Sequence, residues 1–171
     1  MKLSAILASA MLCVSAGSAS AQSINDAQIA HIVVTANQVD IDAGKLAASM
    51  GANPEVKKFG ELMVTDHTGV NKQAGDLATK LKVTPADNPT SQSLKAGGDK
   101  NVAKLKGLKG AEFDKAYIDN EVAYHQAVLD AVDKTLIPGA SNAELKALLV
   151  KVRPAFVAHL EHAKKVQSAL K

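Results

Sequence analysis

The chain has 171 residues, with 20 Lys and Arg against 17 Asp and Glu and a formal net charge of +3. That charge is spread along the whole length, with no tryptophan and no basic cluster interleaved with aromatics, which excludes nucleic acid as a partner. Cys13 is the only cysteine, so no internal disulfide is available, and a chain of this length has to rest on one ordinary packed core.

Residues 1–21 read as an export signal. Lys2 precedes an uncharged apolar run from Leu3 to Val14, and small residues close on Ala19-Ser20-Ala21. Cleavage after Ala21 leaves Gln22 as the new N-terminus and 22–171 as a single helical-bundle domain. Lipid attachment at Cys13 is disfavoured by Leu12, where a small residue is needed. The apolar run is too short for a stable anchor, and no other stretch approaches about 18 uncharged apolar residues, so the expectation is an exported periplasmic protein with no transmembrane segment.

Periodicity is helical throughout the remainder, and no strand-like alternation competes. The first helix is expected from about Asn25 to Met50, with one stripe through Ile29, Val33, Ala36, Asp40, Ala43 and Ala47 and a rival through Ile32, Val39 and Leu46. Asp40 therefore lies inside the apolar face or at its margin. Gly51 stops this helix, and Asn53-Pro54-Glu55 restarts the chain as N-cap, first helical residue and favourable acid at the dipole's positive end. The second helix runs its seam through Val56, Gly60, Met63, His67, Val70, Ala74, Leu77 and Leu81.

From Lys82 to Gly110 the pattern weakens around Pro85, Pro89 and Gly97-Gly98, leaving room for a short helix around Ser91 to Lys106. The third core helix is expected from Ala111 to just before Pro138-Gly139, with Phe113, Tyr117, Ile118, Glu121, Tyr124, His125, Val128 and Val132 on one face. Ser141-Asn142-Ala143-Glu144 reads as a capping box opening the fourth, whose stripe is Leu145, Leu149, Val152, Phe156, His159, Ala163 and Val166. Pro154 is expected to kink this helix and free a carbonyl.

Short links make the first two helices antiparallel neighbours, and likewise the last two, while Lys82 to Lys109 is long enough to cross the length of the bundle. The expected architecture is all-α, a ferritin-like four-helix bundle with one long crossover connection. Helical rise then sets depths. Asp40 precedes Ala52 by 12 residues and His67 follows it by 15; Glu121 precedes Gly139 by 18 and His159 follows it by 20. His125 is one turn from Glu121 on the same face. Asp40, His67, Glu121, His125 and His159 are thereby brought to one depth, with Asp66 beside His67 as an orienting acceptor.

Two readings of that layer stand open. In one, neutral imidazoles and carboxylates on facing helices hold a divalent transition metal, Zn, Cu, Ni or Fe. In the other, the same groups form a buried polar network that sets helix register. Met63, one turn before His67, reads as core filling rather than a copper ligand. His162 falls off the seam and is expected to be exposed. Tyr117 and Tyr124 are expected to pack with their hydroxyls at the rim.

The run NQVDIDAGK from Asn37, MVTDH ending at His67, FDKAYIDNEVAYHQAVLD from Phe113 and PAFVAHLEHA from Pro154 together resemble the bacterial family called domain of unknown function 4142. The resemblance covers nearly all of the chain after the signal. It implies a ferritin-like fold, export and, at most, peripheral association with the outer membrane, and it brings no established biochemical role. A di-iron centre wants a carboxylate from each of two helices and Glu-x-x-His from each of the other two. Here Glu121 and His125 are four apart, Asp66 and His67 are adjacent, and no carboxylate stands three residues before His159.

With no nucleophile, phosphate-binding or redox motif, the sequence favours a non-enzymatic envelope protein that binds an unnamed protein partner or protects the envelope under stress. A metal-binding protein is the alternative, and a di-iron oxidase stands third.

Overall fold

The computed structural model describes residues 24–170. The export signal, Cys13 and the cleavage point after Ala21 lie outside the described residues, which are all helical with no strand. The elements are α1 (Asp26–Met50), α2 (Pro54–Leu81), α3 (Pro89–Lys106), α4 (Gly110–Ala131), a π turn (Val132–Leu136), a single turn α5 (Ile137–Gly139) and α6 (Ala143–Ala169).

Asparagine begins four of these helices. Asn25 and Gln28 cap α1 reciprocally, and Asn53 accepts from the Glu55 amide with Pro54 behind it, as the sequence indicates. Asn88-Pro89 repeats that device, so α3 starts two residues before the expected Ser91, ends at Lys106 as expected and spans 18 residues. At α6 the expected capping box is replaced by a simpler cap. Asn142 accepts from Glu144 and Leu145, while the amides of Ser141 and Asn142 donate to the Asp26 carboxylate. Pro154 sits inside α6, which runs through it as one element.

The expectation that the third core helix ends before Pro138 is overturned. Proline has no N–H to give and its ring crowds the carbonyl four residues back, here that of Lys134. The chain absorbs this by widening: the Ile137 amide bonds to the Val132 carbonyl, five residues back, and helical structure continues through Gly139.

Side-chain to backbone bonds at the ends fix the topology. The Asp114 carboxylate on α4 accepts from the amides of Ala52 and Asn53 at 2.9 and 2.7 Å, placing the start of α4 beside the α1–α2 turn. Asn88 donates to the Gln28 carbonyl and Ala86 to that of Ala27, so the crossover leaves from the opposite end. Helix α3 thus carries the chain back along the bundle over α1, and the core helices α1, α2, α4 and α6 run up, down, down and up. Helices α1 and α2 meet closely at Gly44 and Gly60, where a β-carbon on Gly60 would stand 2.7 Å from the Gly44 carbonyl oxygen.

The core is layered. Ala47, Val56, Phe59, Met63, Phe113, Tyr117 and Val166 pack at the end of the α1–α2 turn. Ile29, Ile32, Val132, Leu136, Leu145 and Leu149 pack at the other end. Between them a third apolar cluster of Val70, Leu129, Val152, Phe156 and Leu160 flanks a layer of buried polar groups.

Candidate functional site

Every core helix sends a polar group into that middle layer: Asp40 from α1, His67 from α2, Glu121 and His125 from α4, and His159 from α6, none more than 3% exposed. The Asp40 Oδ2 lies 3.2 Å from Nε2 of His67 and 3.6 Å from Nε2 of His125. Ligand atoms of His67, His125 and His159 fall within 4.8 Å of one another, and those of Asp40, Glu121 and His125 do the same.

Each imidazole is held by the nitrogen that faces away from the centre. Asn37 donates its amide to the Val33 carbonyl at 2.8 Å, which turns its Oδ1 toward Nδ1 of His67 at 2.6 Å. An amide oxygen only accepts, so Nδ1 of His67 carries the proton and Nε2 a lone pair. Nδ1 of His125 donates to the Glu121 backbone carbonyl at 3.0 Å, with the same result. His159 is turned the other way round: Nε2 donates to the Asp66 carboxylate at 2.9 Å, leaving the lone pair on Nδ1. Those three lone-pair nitrogens have no hydrogen-bond partner, and neither do Asp40 Oδ1 and Glu121 Oε2.

Electrostatics follow from burial. Loss of water pushes the Asp40 carboxyl well above the usual carboxylate range, and the neighbouring Glu121 adds to it; burial raises Glu121 to about 7. Burial, reinforced by His125 and His159, lowers His67 to about 2, and His159 is lowered mainly by burial as well. The layer therefore disfavours imidazolium and favours at least one protonated carboxyl. Asp40 Oδ2 facing two lone pairs is a repulsive arrangement unless a proton or a cation lies among them.

Asp66 does not orient His67, its sequence neighbour. Adjacent residues on a helix point in different directions, so Asp66, with a side chain 40% exposed, reaches across to α6 and holds His159. The group that orients His67 is Asn37, which lies one turn before Ile41 on the buried face of α1. Tyr117 is fully buried with its hydroxyl unpartnered, not at the rim, and burial raises its phenol well above the ordinary range. The Tyr124 hydroxyl donates to the Ala36 carbonyl at 2.9 Å. Met63 is core filling, as expected, whereas His162 is half-buried with its ring edge-on to Phe59 at 5.1 Å.

The chain belongs to the family described as Domain of unknown function (DUF4142), whose model matches residues 13–166. No curated protein and no solved structure matches it.

Proposed function

We propose that this protein binds one divalent transition metal ion inside the bundle, through His67, His125 and His159, with Asp40 supplying the negative charge and Glu121 beside it. The observation that carries this is the convergence of three imidazole lone pairs, each fixed in its tautomer by a hydrogen bond at the other ring nitrogen. That pattern of outer partners is what metal-binding histidines use to present their lone pairs. A buried network serving only register satisfies its own polar atoms, and this one leaves three imidazole lone pairs without partners. The geometry supports metal binding over the purely structural bundle that the sequence favours.

Imidazole-rich coordination with a single carboxylate suits zinc, copper, nickel or iron rather than calcium or magnesium, which want oxygen. The di-iron oxidase is not adopted, because among the described residues only Asp40 and Glu121 bring buried carboxylates to the centre. The pattern of residues 1–21 supports a periplasmic setting, with at most peripheral contact with the outer membrane; no described helix is long and apolar enough to cross a membrane. The test is metal analysis of protein purified from the periplasm, compared with a His67→Ala, His159→Ala double variant. About one equivalent of metal in the parent and none in the variant is expected. Absence of metal, together with no thermal shift on adding Zn, Cu, Ni or Fe, overturns the reading.

A further inference from the structure

A cavity of about 250 Å³ runs from the polar layer toward the end of the bundle where α4 gives way to the π turn. Its body is apolar, built from Ile32, Val128, Leu136, Leu149 and Val152, and α3 closes its side with Thr90 and Leu94. Its inner end is different: Asn37, Asp40, His67 and Tyr124 meet there. Asp40 Oδ1 and His67 Nε2 are buried acceptors with no partner, while Tyr124 spends its hydroxyl proton on the Ala36 carbonyl and Asn37 one of its two N–H groups on the Val33 carbonyl. Water finds few partners in such a space, since it needs two to four and beyond the inner end only the threonines Thr90 and Thr135 line it among apolar side chains. An apolar cavity of roughly 150 Å³ already accepts benzene, so this one has room for more than a single ring.

We infer that the cavity binds one small apolar molecule carrying a single hydroxyl, with its hydrocarbon body in the chamber and the hydroxyl turned to Asp40 and His67. A hydroxyl matches because the two free groups at the inner end are acceptors, and an O–H is the smallest donor that reaches them from an apolar body. The inference deepens the metal reading, since in the loaded protein the same hydroxyl oxygen is presented to the ion. The apolar body needs only the chamber. Burial of apolar surface supplies the affinity and the hydroxyl supplies orientation.

The test uses naphthol, followed by its own fluorescence in a protein that has no tryptophan, with naphthalene as the hydroxyl-free isostere. Zinc-free and zinc-loaded protein are titrated separately, and bound zinc is counted in each sample. Naphthol is expected to bind one per chain in at least one of the two states, about tenfold more tightly than naphthalene. Ala131→Phe, which projects a ring into the chamber from α4 away from the histidines, is expected to weaken naphthol by tenfold or more while zinc stoichiometry is kept. Ala131→Met is the milder partner should the ring destabilise the fold. No naphthol binding in either state, equal binding of naphthalene, or binding unchanged in both variants overturns the inference. Loss of zinc binding with naphthol binding intact overturns the metal reading alone.

Discussion

Replacing Asn37 with alanine isolates the chain of hydrogen bonds that presents His67. In the parent, the Asn37 amide is committed to Val33 and its oxygen takes the proton on Nδ1 of His67, so Nε2 faces the centre with a lone pair. Without that oxygen the ring is free to move its proton to Nε2, where Asp40 Oδ2 waits at 3.2 Å. The alternative tautomer satisfies Asp40 and spends the lone pair a metal needs. Loss of an outer partner of this kind typically costs about 10- to 100-fold in metal affinity, or roughly 1.4–2.7 kcal/mol. The metal-free protein suffers less, about 1 kcal/mol, because the bond lost at Nδ1 is largely replaced at Nε2. Competition titration of zinc against a chromophoric chelator gives the first number, and urea melts of the metal-free protein give the second. Asn37→Asp, which keeps an acceptor opposite Nδ1, is expected to stay within a few-fold of the parent. Zinc affinity unchanged in Asn37→Ala, or lost equally in Asn37→Asp, refutes the reasoning.

Gly60→Ala places a β-carbon 2.7 Å from the Gly44 carbonyl oxygen and 2.8 Å from the Ala48 amide nitrogen, so α1 and α2 have to separate. A loss of about 2 kcal/mol in a thermal or urea melt is expected, with weaker zinc binding because Asp40 and His67 sit on the two helices being parted. Asp114→Ala removes the acceptor for two amides of the α1–α2 turn and is expected to cost about 1–3 kcal/mol by the same melts, with zinc affinity little changed. The pH dependence of the metal-free protein has two opposing parts. Glu121, raised to about 7, binds its proton more tightly folded than unfolded, so its contribution is full below the ordinary carboxyl range and is lost as pH rises through about 7. His67, lowered to about 2, works the other way: its contribution is full above about 6.5 and is lost as pH falls from there toward about 2. Glu121→Gln is therefore expected to remove the loss of melting temperature that Glu121 causes between about pH 4.5 and about pH 7, leaving the opposite dependence from His67, as followed by circular dichroism.

How much of this was legible in the sequence depends on the range of the interaction. Helix positions follow from local rules, and so does the depth of each polar residue. Counting residues from the Ala52 and Gly139 turns is enough to bring Asp40, His67, Glu121, His125 and His159 to one layer, since helical rise is nearly constant. The start of α3 was also available, because Asn88-Pro89 repeats the Asn53-Pro54 signal already read at α2. The π turn was harder: a proline reads as a stop, and only the packing of Val132 and Leu136 into the end of the core makes it worthwhile to widen the helix and continue. Second partners were least legible. Asp66 stands next to His67 in sequence yet serves His159, at a separation of 93 residues, while His67 is served by Asn37, 30 residues away.

That exchange of partners bears on what the layer is for. Asn37, Asp66 and the Glu121 carbonyl all act from outside the ring of histidines, and each removes a proton-bearing nitrogen from the centre. A layer built only to lock helix register gains most when imidazole N–H groups point inward at Asp40 and Glu121, where two carboxyls are ready to accept them. Here the donors of His67 and His159 point outward and the free lone pairs inward, at a cost in the metal-free fold that a bound cation would offset. Adding zinc is therefore expected to raise the melting temperature of the parent more than that of Asn37→Ala, and the difference measures how far the outer hydrogen bonds are arranged for the metal.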